Sequence, residues 1–155
     1  MRDAHSDRLY EDPMLVFKFQ IEIKDIIEGF FTECSGLSVE REVETYKEGG
    51  LNNYEHKLPG RLKYGNVTLK RGMTTSHLLW TWFHEKATDE KDFFKVNRVD
   101  VTITQLDLMG NQIKQWILSK AYPVKWKGPD FKSDGNQVAI ETLELAHHGI
   151  SQQML

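Results

Sequence analysis

The run from Lys57 to Phe83, KLPGRLKYGNVTLKRGMTTSHLLWTWF, holds the one strong helix signal in the chain. Leu78, Leu79, Trp82 and Phe83 recur at i, i+1, i+4 and i+5, a single apolar stripe of an α-helix. Thr74 or Thr75 is placed to cap it, because a hydroxyl can accept from the free N–H groups of a first turn. A strand precedes it: Val67 and Leu69 fall on one face, Thr68 and Lys70 on the other. Gly72 breaks that strand, and Pro59-Gly60 reads as a turn ahead of it. The expectation is one helix packed across a β-domain, with Leu78, Leu79, Trp82 and Phe83 as its core anchors. Trp80 and Trp82 lie on different sides of the helix, so one enters the core and the other packs on a second element or a neighbour.

Elsewhere the period is two. Leu15, Phe17, Phe19, Ile21 and Ile23 alternate with Lys18, Gln20 and Glu22, a half-buried strand with one wet face. Asp25 to Gly29 reads as a turn, and Phe30 to Cys34 as strand. Leu37 to Lys47 is a long strand in which Glu40, Glu42 and Glu44 share one parity. Three carboxylates on one face need water or cations. Val39, Val43 and Thr45 take the other parity, interrupted by Arg41. Arg98 to Lys120 reads as a β-hairpin turning at Met109-Gly110-Asn111. Pro123 and Pro129 bracket a short edge or corner segment, Val124 to Lys127. Gln137 to Ala146 is the last strand; Gly149 ends it, and Ser151 to Leu155 should fray.

Between strands, residues 48–60 form a connection longer than a hairpin needs. Gly49, Gly50, Asn52 and Asn53 tolerate positive φ, and Tyr54, Leu58, Pro59 and Gly60 follow. Long ordered loops of this kind tend to make contacts. The count is about seven strands and one helix, which points to a mainly β (α+β) domain: a small antiparallel β-barrel or sandwich with one flanking helix.

The chain has 155 residues and suits a single domain, with residues 1–13 as a polar arm. Its formal charge is −3 with acids and bases interspersed, unlike a protein that grips phosphates. Cys34 is the only cysteine, so no intrachain bridge forms, and burial as a small hydrophobe is its simplest role. No apolar run reaches membrane-span length, and the first residues lack a signal-peptide core, so synthesis in the cytoplasm is expected. His77 and His84 are not spaced as a metal pair, and His147-His148 point to opposite strand faces. No phosphate loop, nucleophile with a base, or acid–base pair stands out. No cofactor, metal or catalytic site is expected.

Four blocks, CSGLSVEREVETYKEGG, KLPGRLKYGNVTLKRG with LLWTWF, AYPVKWKGPDF and VAIETLELAHHG, occur in order between about Phe30 and Gly149. In these blocks the chain resembles the tail tube proteins of contractile phages and of phage-derived contractile injection particles. More distantly it resembles the hemolysin-coregulated tube protein of type VI secretion. The resemblance implies hexameric rings that stack into a hollow tube. It implies a contractile sheath, a baseplate hub or tube initiator, a tape measure, a terminator cap and cargo in the lumen as partners, with no specific nucleic-acid binding.

Within that frame, Gly49, Gly50, Asn52, Asn53, Tyr54, Leu58, Pro59 and Gly60 are the expected inter-ring contact. Glu40, Glu42 and Glu44 are the candidate lumen face, with Lys18, Gln20 and Glu22 as another wet strand face. Two other readings compete. A tube initiator would stop at one ring, and a monomeric ligand-binding β-barrel would show an apolar pocket.

Overall fold

The computed structural model describes residues 18–23, 26–46, 56–84, 98–131, 133, 135 and 139–155. In chain order these form β1 (Lys18–Ile23), β2 (Ile26–Phe31), β3 (Glu33–Ser35), β4 (Val39–Tyr46), β5 (His56–Tyr64) and β6 (Val67–Gly72). Helix α1 (Leu78–His84) follows, then β7 (Val99–Leu106), β8 (Gln112–Lys127), β9 (Ile140–Ala146) and β10 (Gly149–Met154). The 1–13 arm and residues 47–55 lie outside the described residues.

Eight strands make one antiparallel sheet in the order β2-β1-β7-β8-β9-β6-β3, with β10 also on β8. β9 and β10 run end to end along one edge of β8: Tyr122 faces Ala146, and Ser119 faces Gly149. β7 takes the other edge. The sheet wraps back on itself without closing into a barrel. Its terminal strands, β2 and β3, are consecutive in the chain and separated only by Thr32. The Thr32 N–H donates to the Lys70 carbonyl of β6 at 3.0 Å.

Alternation places the core. Ile21, Ile23, Val101, Ile103, Leu118, Val67, Leu69, Leu143 and Leu145 point inward, and Phe31 closes one side. Leu79 and Trp82 of α1 enter this core, while Leu78 and Phe83 are half-buried. Trp80 remains exposed and stacks edge-on against Trp126 of β8, ring centroids 4.8 Å apart. The helix starts later than the threonines suggest. Thr74 Oγ1 accepts from the Ser76 N–H at 3.2 Å, and Ser76 Oγ then accepts from the Leu78 N–H at 3.4 Å. The two hydroxyls make a short relay, so the serine serves the first turn.

Three expectations fail on local physics. Ile26 to Gly29, expected as part of a turn, lie on β2. Val124 to Lys127 do lie on an edge, as expected: β8 runs 16 residues through Pro123, but beyond Ala121 it pairs with β9 alone. A bulge at Val124 lets Pro123 face Leu145 and Lys125 face Glu144, so the ladder tolerates the missing N–H. The tail does not fray: Ser151 to Met154 pair with β8, and Trp116 Nε1 donates to Gln152 Oε1 at 3.0 Å. Lastly, Leu58, Pro59 and Gly60 belong to β5 rather than to a loop.

Candidate functional site: the β4–β5 ribbon

β4 and β5 form a separate two-stranded sheet that pairs with neither edge of the large one. Pro59-Gly60 sits inside it because β5 carries a bulge. Arg41 faces Leu62 and Val43 faces Pro59, so Gly60 and Arg61 together oppose Glu42. Proline is accepted at such an irregularity. A Cβ on Gly60 would lie 2.9 Å from the Glu42 carbonyl oxygen, so only glycine permits this approach. The Arg41 guanidinium donates to the Gly60 carbonyl at 3.3 Å and ties the bulge across the ribbon.

Register assigns the two faces. Directly opposed residues share a side. One face holds Val39 with Tyr64, Arg41 with Leu62, Val43 with Pro59 and Thr45 with Lys57. The other holds Glu40 with Lys63, Glu44 with Leu58 and Tyr46 with His56, and Glu42 between them. The three glutamates do share a face, and that face contains a cation. Lys63 Nζ lies 2.5 Å from Glu42 Oε1, and this bond, followed by the Glu42 charge, raises the Lys63 pKa.

The ribbon has no core of its own. Val39 and Val43 are 58% and 59% exposed, and Tyr46, Leu58 and Leu62 are exposed as well. An isolated two-stranded ribbon is marginal in water, and this one holds apolar side chains in solvent on both strands. Its base is anchored. The Gly65 N–H donates to the Ser38 carbonyl at 3.4 Å, and His147 Nε2 donates to the Gly65 carbonyl at 2.9 Å. The Tyr64 ring meets the His147 ring edge-on at 5.6 Å. His147 stands at the joint between β9 and β10, so the large sheet grips the root of the ribbon.

In the sequence His147 stands out only as half of a His147-His148 pair unfit to chelate a metal, and nothing in its local pattern pairs it with Gly65. Of the expected inter-ring residues, Leu58, Pro59 and Gly60 lie on β5, while Gly49, Gly50, Asn52, Asn53 and Tyr54 lie outside the described residues. Among the described residues no group of three or more His, Cys, Asp or Glu could hold a metal ion. No described helix is long and apolar enough to cross a membrane. Burial pushes the Cys34 thiol up to about 12, which favours its protonated form at neutral pH.

A small curved sheet with one helix and a coreless ribbon is the form of a subunit that completes itself in an assembly. The family model for the T4-like virus tail tube protein gp19 matches residues 15–151, and the chain belongs to that family. No curated protein sequence matches it.

Among solved structures, a chain of the sheath-tube complex of PVC, an extracellular contractile injection system, is 24% identical. The match covers 94% of both chains with a TM-score of 0.79. A chain in the baseplate of the anti-feeding prophage is 27% identical, over 94% of this chain and 98% of that one, with a TM-score of 0.72. Hcp1 from Flavobacterium johnsoniae shares 17% identity over 88% and 94% of the chains, with a TM-score of 0.53.

Proposed function

We propose that this chain is the inner-tube subunit of a contractile injection machine. Copies close into six-membered rings, and the rings stack into a hollow conduit inside a contractile sheath. The observation that carries the reading is the β4–β5 ribbon, anchored at its root and carrying Val39, Val43, Tyr46, Leu58 and Leu62 that no described residue covers. A head-to-tail contact whose rotation closes gives a ring, and a projecting element then joins ring to ring. The tube-family membership and the likeness to a chain of a sheath-tube complex support this reading.

The ribbon, with Leu58, Pro59 and Gly60 of β5, is the inter-ring element, and Gly49, Gly50, Asn52, Asn53 and Tyr54 share that role. Glu40, Glu42 and Glu44 face the lumen and form a hydrated acidic wall that does not hold cargo tightly. Lys63 offsets part of that charge. The sheath, the baseplate hub, a tape measure, a terminator cap and a protein or DNA cargo are the partners of this role, and synthesis is cytoplasmic. The chain does no chemistry of its own.

A second reading, a tube initiator that stops at one ring on the hub, draws on the 27% match within a baseplate structure. Negative-stain microscopy of the purified protein separates them. Long tubes are expected, single rings point to the initiator, and a monomer at high concentration overturns both. Within the tube, a cysteine at Glu42 should resist a bulky external thiol label.

A further inference from the structure

The β7–β8 turn is held more firmly than a solvent loop requires. Asp107 Oδ1 accepts the N–H groups of Met109 at 2.9 Å and Asn111 at 2.8 Å, and Asp107 Oδ2 accepts from Asn111 Nδ2 at 3.2 Å. The Gly110 N–H donates to the Asp107 carbonyl at 3.1 Å, with Gly110 at φ +85°, a conformation that side chains resist. What this fastened turn displays is apolar: Leu108 is 63% exposed and Met109 87%. Register brings two more apolar side chains to the same end of the sheet. Met154 pairs with Lys114, and the Leu155 N–H donates to the Ile113 carbonyl at 3.1 Å; both residues are exposed. Rigid apolar side chains grouped in water mark a contact surface.

The ribbon carries a second and different patch, Val39, Val43 and Leu62, on the face away from the glutamates. Two unlike patches on one chain suit a head-to-tail contact, whereas a two-fold contact uses one patch twice. The charges match as well. Arg41 and Lys57 flank the ribbon patch, and the Asp107 carboxylate lies beneath the turn patch.

We propose that the Leu108–Met109 rim of one copy receives the Val39–Val43–Leu62 face of the ribbon of a copy in the adjoining ring. This assigns both halves of the inter-ring contact and leaves the Glu40–Glu42–Glu44 face to water. It rests on the stacked-tube reading.

Cysteine cross-linking in assembled tubes, in a Cys34→Ala background that removes the half-buried native thiol, tests it. A Val43→Cys/Met109→Cys variant, oxidised in the tube, should give covalent chains of copies on a denaturing gel. Either single variant, or Glu42→Cys/Met109→Cys, should give at least tenfold less. Normal tubes without the Val43–Met109 cross-link overturn the contact while the tube stands. A wild-type protein that never leaves the monomer overturns the tube reading itself. If the double variant does not assemble, Met109→Asp decides. Rings without tubes, with Gln112→Asp assembling normally, support the contact. Full-length tubes from Met109→Asp overturn it.

Discussion

Arg71 Nε lies 2.9 Å from Glu141 Oε2, directly across the β6–β9 ladder and in the interior. The pair is the middle of a longer relay. The Arg71 guanidinium stacks over the Phe31 ring at 5.0 Å, and Glu141 Oε1 accepts from Trp126 Nε1 at 2.7 Å. Trp126 then meets Trp80 of the helix. One ionic contact thus links the β2–β3 junction, the sheet and the helix.

Removing one partner strands a buried charge. Arg71→Met should cost about 3–5 kcal/mol in denaturant unfolding. Arg71→Met with Glu141→Leu should recover much of that, less about 1 kcal/mol for the Trp126 bond. A double-variant loss equal to the sum of the Arg71→Met and Glu141→Leu losses would show that the ion pair carries no coupling.

Lys120 is the one described non-glycine residue with positive φ, at 50°. It is the extra residue where Val101 faces Leu118 and Val99 faces Ala121, and its N–H donates to Asp100 Oδ1 at 3.0 Å. Lys120→Gly should raise stability by about 0.5–1 kcal/mol, since relief of left-handed strain outweighs the added chain entropy. Lys120→Val should lower it. Thermal melts of the two variants give the sign.

Trp82 and Trp80 should part company on truncation. Trp82 is buried in the core, so Trp82→Ala should cost about 3–5 kcal/mol. Trp80→Ala loses an edge-on contact at the surface and should cost about 1 kcal/mol. Comparable losses would place both side chains in the core.

Cys34 sets an alkaline limit. Its folded thiol is raised to about 12 from 9.0 by burial, so the unfolded chain releases its proton first. The stabilisation is complete below the unfolded value and is lost between about pH 9 and 12, at roughly 1.4 kcal/mol per pH unit. Cys34→Ala should flatten that slope. A thiol reagent at pH 8 should label the protein only after unfolding.

The sequence displays this fold wherever one face is dry and the other wet. β1, β6, β7 and β9 alternate cleanly, and Leu79 and Trp82 fall on one helical stripe. Legibility stops where tertiary pairing overrides local chemistry. Pro59-Gly60 and Pro123 carry turn composition, yet bulges let the strands pass through them. Ser151 to Met154 have little strand character, and the edge of β8 organises them. The parity of Glu40, Glu42 and Glu44 was readable; their neighbour Lys63 was not, because its facing depends on the bulge. The Asp107–Asn111 turn has an Asx-turn composition, but its place beside Met154 and Leu155 comes only from register.

The passage from β2 to β3 through Thr32 also bears on mechanical strength. A sheet usually tears from a free border, one strand peeling from the next. Here two of the borders, β2 and β3, belong to one short length of chain, and Thr32 itself is bonded to β6. Pulling either border away drags the other against its own ladder, so several bonds must shear together. A subunit built this way gains a joint that resists unzipping.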